Sequence, residues 1–146
     1  MAITSAICNS FKQEILEAEH NFTASTGNTF NIALYTSSAT LSASTTAYSS
    51  SNEITNSSGT AYTAGGKALT SVTPTLDSST AVCDFADVSW TSASFTANGC
   101  LIYNDSHSTN ASVCAVAFGG DKTVSSGTFT IQFPAAAATT AIVRIA

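Results

Sequence analysis

The chain has 146 residues, of which 44% are hydrophobic and only 9% charged, with a net charge of −5. An ordinary soluble domain carries about 25% charged residues. The four cations, Lys12, Lys67, Lys122 and Arg144, are scattered, which excludes the phosphate-neutralising stripe of a nucleic-acid binder and the polybasic patch of a membrane-surface protein.

Close to a third of the chain is Ser or Thr. These side chains lose little rotamer entropy when ordered, whereas a Lys or Glu can lose up to ~2 kcal/mol. Surfaces made of them associate at low entropic cost. At this length one domain, residues 1–146, is expected, burying roughly 68–70% of its unfolded surface. No stretch approaches the ~20 apolar residues of a membrane span, and no basic segment precedes an apolar run as in a signal peptide. Cys8, Cys83, Cys100 and Cys114 are widely spaced. Without a secretory leader they read as reduced, buried thiols.

In chain order, the first element is a helix over about 10–20. Ser10 and Gln13 have capping-box spacing, and Ile7, Phe11, Ile15, Ala18 and Phe22 form one apolar stripe. Phe30, Ile32 and Leu34 then alternate with Asn31, Ala33 and Tyr35, the pattern of a half-buried strand. Residues 36–66 form a long Ser/Thr/Ala/Gly stretch, and loops of that length are usually contact-making. Strands are predicted at 67–73, 80–85, 93–97, 99–104, 112–118, 127–133 and 140–145. Turn-rich separators lie between several of them, among them Asn104-Asp105-Ser106 and Gly119-Gly120-Asp121. About eight short strands behind one short N-terminal helix predict an all-β chain, a β-sandwich of the jelly-roll kind.

Few residues carry candidate chemistry. Glu14, Glu17 and His20 contain the Glu-x-x-His pair of di-iron bundles, which needs further carboxylate-bearing helices; a solvated helix face is the commoner reading. Asp77, Asp84 and Asp87 offer oxygen ligands for Ca²⁺ without EF-hand spacing, or a carboxylate pair for glycoside chemistry; turns and edge strands account for them more simply. His107, between two serines, reads as an exposed loop histidine, and no G-x-S-x-G elbow accompanies it. Gly65-Gly66-Lys67 lacks the Walker spacing, and the cysteines fit no zinc pattern. Sequons at Asn21, Asn56, Asn104 and Asn110 matter only in a secretory pathway. The expectation is a non-enzymatic chain with no cofactor and no metal.

Several segments together resemble small β-rich proteins from tailed-bacteriophage structural gene clusters, including those of marine and cyanobacterial phages. They are Phe11-Lys12-Gln13-Glu14-Ile15-Leu16, FNIALYTSSATLSASTTAY from Phe30 to Tyr48, and Ala61-Tyr62-Thr63-Ala64-Gly65-Gly66. Asp84-Phe85-Ala86-Asp87 with Trp90, Leu101-Ile102-Tyr103-Asn104, Phe118-Gly119-Gly120-Asp121-Lys122 and the ending Ala141-Ile142-Val143-Arg144-Ile145-Ala146 complete the set. The resemblance implies a virion structural protein with no catalytic signature. The leading expectation is a capsid decoration (cement) protein, made in the host cytoplasm and placed on the outer capsid surface. There it would bind and bridge major capsid protein subunits as a trimer or dimer, without nucleic acid or membrane. In that role Phe11, Ile15 and Phe22 dock the helix, Tyr48 and Tyr62 join the assembly interface, and 36–66 is the contacting arm. The alternative is a tail- or head-fibre module stacking host glycan on Tyr48, Tyr62, Trp90 or Tyr103, or a tail or neck structural component.

Overall fold

The structure, a computed structural model, describes residues 1–55 and 59–146; the sequon at Asn56 and part of the 36–66 segment lie outside the described residues. Among them the elements run β1 (Ala6–Ile7), α1 (Asn9–Glu14), β2 (Phe30–Tyr35), β3 (Lys67–Ala68), β4 (Ser71–Asp77), β5 (Thr80–Phe85), β6 (Val88–Asn104), β7 (Ser112–Ile131) and β8 (Val143–Ile145). The strand pairings are antiparallel and build two sheets, of order β1-β7-β6-β2-β3 and β4-β5-β8. Apolar residues from both sheets meet in one core. Phe30 of β2 lies 6.0 Å from Phe85 of β5, centroid to centroid, and stacks on Phe22 at 4.2 Å. The chain is therefore an all-β sandwich with one short helix. Cys8, Cys83, Cys100 and Cys114 are free and buried.

The strands number eight, as expected, but two of them are longer than the turn signals predict. The pieces expected at 93–97 and 99–104 are one strand that runs on through Asn98 into Gly99. A side chain there would sit 2.6 Å from the Val116 carbonyl oxygen and 2.8 Å from Ile3, so glycine permits close approach. The pieces at 112–118 and 127–133 join likewise, for Gly119-Gly120-Asp121 is an excursion within β7. Gly99 pairs with Ala117 and Ala97 with Lys122, leaving residues 118–121 bulged out where Gly119 and Gly120 take φ of +73° and +135°. Such bulges bend a ribbon, and here the long β6–β7 hairpin bends over the apolar face of its own sheet.

The helix is shorter than predicted. It ends after Glu14 rather than near 20, and Ala18 adopts a φ of 60°. This left-handed residue closes the turn and brings His20 into the core. No capping box forms: Cys8 is the N-cap with no side-chain bond, and Ser10 Oγ has no partner among the described residues. Phe11 and Phe22 do pack in the core, with Ile15 against it, so these residues dock the helix onto its own domain.

β2 is buried on both faces rather than one. Its second face, carrying Asn31 and Tyr35, is roofed by the 36–55 stretch. There Tyr48 stacks on Tyr103 at 4.7 Å, the Tyr35 hydroxyl donates to the Ser49 carbonyl at 2.7 Å, and Ile54 N bonds Leu34 O. Ala39, Leu41, Ile54 and Tyr62 are core residues. The described part of the stretch read as a contacting arm is thus packed on its own domain.

Candidate functional site

What fastens that layer is Glu53, the one charged residue between Glu19 and Lys67. It is 8% exposed. Its Oε1 accepts the Tyr62 hydroxyl at 2.6 Å and the Gly65 amide at 2.7 Å, and its Oε2 accepts the Tyr48 hydroxyl at 2.6 Å. Tyr62 in turn accepts the Leu34 amide at 2.9 Å, and the Tyr103 hydroxyl donates to the Gly65 carbonyl at 2.8 Å. Burial, reinforced by the hydrogen bond to Glu53, pushes the Tyr62 and Tyr48 phenols upward. Charge-assisted bonds of this kind are about twice as strong as neutral ones. The carboxylate is filled by its own chain and acts as a clasp between the loop layer and β2. A lone carboxylate in so long an uncharged span was the available sequence signal.

This network corrects two expectations. Tyr48 and Tyr62, expected at an assembly interface, face inward to Glu53. Trp90 and Tyr103, expected to stack sugar rings in the fibre reading, are 1% and 2% exposed. Trp90 packs among Tyr62, Phe95 and Phe129. None of the three largely hidden rings presents a face that a sugar could cover. Gly65-Gly66-Lys67 is equally occupied: Gly65 N serves Glu53, and Gly66 lies against the Ile32 carbonyl.

His20 is buried, and His107 is half-buried in the β6–β7 turn. His20 Nε2 meets Glu14 Oε2 at 2.7 Å, while Asn104 Nδ2 approaches His20 Nδ1, Glu19 O and Asn28 Oδ1, each at 3.2 Å. Asn104 Oδ1 accepts the Ser106 amide, which fixes the orientation of the amide group. Nδ1 of His20 is therefore the acceptor, and its Nε2–H donates to Glu14. His107 pairs with Glu19 through Nε2 and touches Thr109 Oγ1 through Nδ1 at 3.0 Å. This has the outline of a hydroxyl–histidine–carboxylate triad. However, the Thr109 amide also donates to Nδ1, occupying the lone pair that a general base would use. The His20–Glu14 pair closes the 14–20 turn on itself, while His107–Glu19 and the Asn104 bonds to Glu19 and His20 tie that turn to the β6–β7 turn. Asn104 is fully buried, so its sequon is closed to modification.

Asp77, Asp84 and Asp87 do not converge. They accept the amides of Ala138, Phe85 and Phe133 respectively, and two of these bonds hold the returning 132–142 segment. Among the described residues no three His, Cys, Asp or Glu side chains gather as metal ligands.

The open features are surfaces. Leu76 of β4 lies opposite Ala81 of β5, and Ala81 opposite Ile145 of β8. Directly opposed residues share a face, and this face also carries Cys83 and Val143 of the core. It therefore runs past the core's edge and emerges as an apolar row, with Leu76 73% and Ile145 55% exposed. Beneath it a groove of about 130 Å³ lies against Phe11 and Ile15 of the helix segment. A second, larger groove of about 500 Å³ occupies the bend of the β6–β7 hairpin, floored by Ile32, Cys100 and Ile102.

Compared with known proteins, the chain matches no family model, no curated protein and no solved structure.

Proposed function

We propose that the chain is an assembly module, a virion structural protein of the capsid decoration type that binds and bridges major capsid protein subunits. The observation that carries this reading is the apolar row Leu76–Ala81–Ile145, which emerges from the core onto a surface poor in charge. Covering Leu76 and Ile145 would contribute about 2–4 kcal/mol at their present exposure. The abundant Ser and Thr around them are inexpensive to immobilise. The ionisable groups that sequence inspection singled out are engaged in holding the fold, and this too favours a binding role. The resemblance to phage structural proteins supplies the identity of the partner.

The test is addition of purified protein to undecorated shells of a phage encoding it, with shell melting and bound copies measured. Saturable binding at a simple fraction of the capsid subunit count, with a raised shell melting temperature, is the expected result. No binding and no stabilisation would refute the reading. Leu76→Lys and Ile145→Lys, which change exposed positions, are expected to abolish binding while leaving the fold intact.

A further inference from the structure

The terminal strands of both sheets are blunted. β1 and β3 are two residues long, and β3 carries Lys67. β8 has three residues and Arg144 at its centre. β4 is longer, but Pro74 sits within its register shift and Asp77 ends it. These are the ordinary devices by which proteins prevent strands from pairing with strangers.

The outer edge of β7 lacks them. β7 pairs with β1 only at Cys114 and Ala115 and with β6 on its other side. From Gly127 to its end at Ile131 it has no charge and no proline, and Gln132 and Phe133 carry that run on to Pro134. Between the pairs Ala93–Gly127 and Trp90–Phe129 the extra residue lies on β6, so β7 is regular there. Beyond the end of β7 the Phe133 amide donates to the side chain of Asp87, the residue before β6, at 2.9 Å. Antiparallel alternation turns every second amide of this stretch of β7 to the open side.

This edge borders the larger groove. Residues 129–134 line it consecutively, so the wall presents strand edge and not just one strand face. The other walls are Val116, Phe118 and Ile142, and the groove's volume of about 500 Å³ falls within the roughly 300–1,000 Å³ of ligand sites. Its one charged lining residue is Lys122. Lys122 lies opposite Ala97 and so on the apolar face of the ribbon, and among the described residues it has no carboxylate partner.

We propose that this groove takes an extended segment of another polypeptide, added as a strand along Gly127–Phe133. Its apolar side chains, at alternate positions, would seat between Phe118, Phe129 and Phe133, and an acidic residue or terminal carboxylate would pair with Lys122. Main-chain bonds to the edge supply affinity, and the groove and the cation supply selectivity. The inference deepens the assembly reading, sharing with it the premise that the chain works by binding protein.

The test is selection of a displayed random-peptide library on the full chain, followed by titration of the best peptide as a synthetic probe. Enriched peptides are expected to alternate apolar residues and to carry a carboxylate. N-methylation of every second probe amide should weaken binding at least 100-fold in one phase and less than 3-fold in the other. Lys122→Glu should weaken it at least 10-fold with the circular dichroism unchanged. Failure to enrich, or equal effects of the two methylation phases, overturns the proposal. So does Lys122-dependent binding of dodecanoate without peptide enrichment, which would make the site one for a small amphiphile. Self-association abolished by Thr130→Pro would give the edge to a second copy and overturn it too. Peptide binding without shell binding would remove the capsid reading alone; shell binding unaffected by Lys122→Glu, with no peptide selected, would remove this groove alone.

Discussion

Removing the Glu53 carboxylate tests whether one clasp holds the 36–55 layer to Tyr62 and Gly65. In Glu53→Ala the Tyr62 hydroxyl and the Gly65 amide, bonded at 2.6 and 2.7 Å, lose their acceptor. Each buried polar group left unmatched costs about 1–3 kcal/mol. The Tyr48 hydroxyl, less deeply placed, can turn to water and adds little. The expected loss is about 4 kcal/mol, set against a total stability of about 5–15 kcal/mol. At roughly 2–4 °C per kcal/mol for a chain of this size, the melting temperature should fall by about 8–16 °C. Glu53→Gln keeps a carbonyl oxygen for Tyr62 and Gly65 and offers an N–H to Tyr48. It sheds charge assistance but also the desolvation of a buried carboxylate, so its cost should stay below about 1.5 kcal/mol. Urea unfolding followed by Trp90 fluorescence is the assay, since Trp90 is the one tryptophan and stacks 6.0 Å from Tyr62. An Ala variant within about 1 kcal/mol of wild type would refute the clasp.

Other consequences follow the same logic. Gly66→Ala should prevent correct folding or destabilise by more than about 4 kcal/mol, because φ is +78° and a Cβ would overlap the Ile32 carbonyl; a near-normal urea midpoint would contradict it. Asn104→Ala should cost about 2–4 kcal/mol by leaving buried acceptors unmatched, and Asn104→Asp at least as much at neutral pH, both read from urea midpoints. Burial pushes the Cys83 and Cys100 thiols up to about 12 from 9.0, so unfolded thiols ionise at pH values where folded ones remain protonated. Stability is therefore fully present below about pH 9 and declines toward pH 12, by up to about 1.4 kcal/mol per thiol per pH unit. A flat urea midpoint from pH 8 to 11 under reducing conditions would refute this. Phe11→Ala should cost about 3–5 kcal/mol, as the ring is 3% exposed, and a melting shift under 3 °C would show that the helix is not docked through it.

The fold class was legible because the apolar alternation in Phe30–Tyr35 and the short Val/Ile/Phe runs after Lys67 are local patterns. What was illegible depends on distant partners. Gly119-Gly120-Asp121 carries the same turn signal whether it ends a strand or bends one, and only the pairing of Ala117 with Gly99 and of Lys122 with Ala97 decides. Ser10 and Gln13 have capping-box spacing, yet Ala18 turns the chain before a long helix can form. Tyr48, Tyr62, Trp90 and Tyr103 looked available because their roof is Ser- and Thr-rich, and composition does not show that such a stretch can lie flat on a sheet. Glu53 was visible as an isolated charge, but its acceptor role needs Tyr62 and Gly65 brought to it by the fold.

The hairpin and its neighbours also set a timetable. β6 and β7 are joined by a short turn and can pair as soon as both exist, whereas β2 must wait for β6, since Phe30 pairs with Asn104 and Tyr35 with Gly99. β1 waits longer still, for Cys114 and Ala115. During synthesis at about 5–20 residues per second, the apolar strand Phe30–Tyr35 therefore stands without its main partner for roughly 3–14 seconds. The sequence that emerges next to it in that interval is the Ser- and Thr-rich stretch, charged only at Glu53, that later roofs it. Slowing the ribosome lengthens that exposure and cooling the cell weakens the attraction between exposed strands, so the yield of soluble chain should respond to growth temperature more than to codon choice.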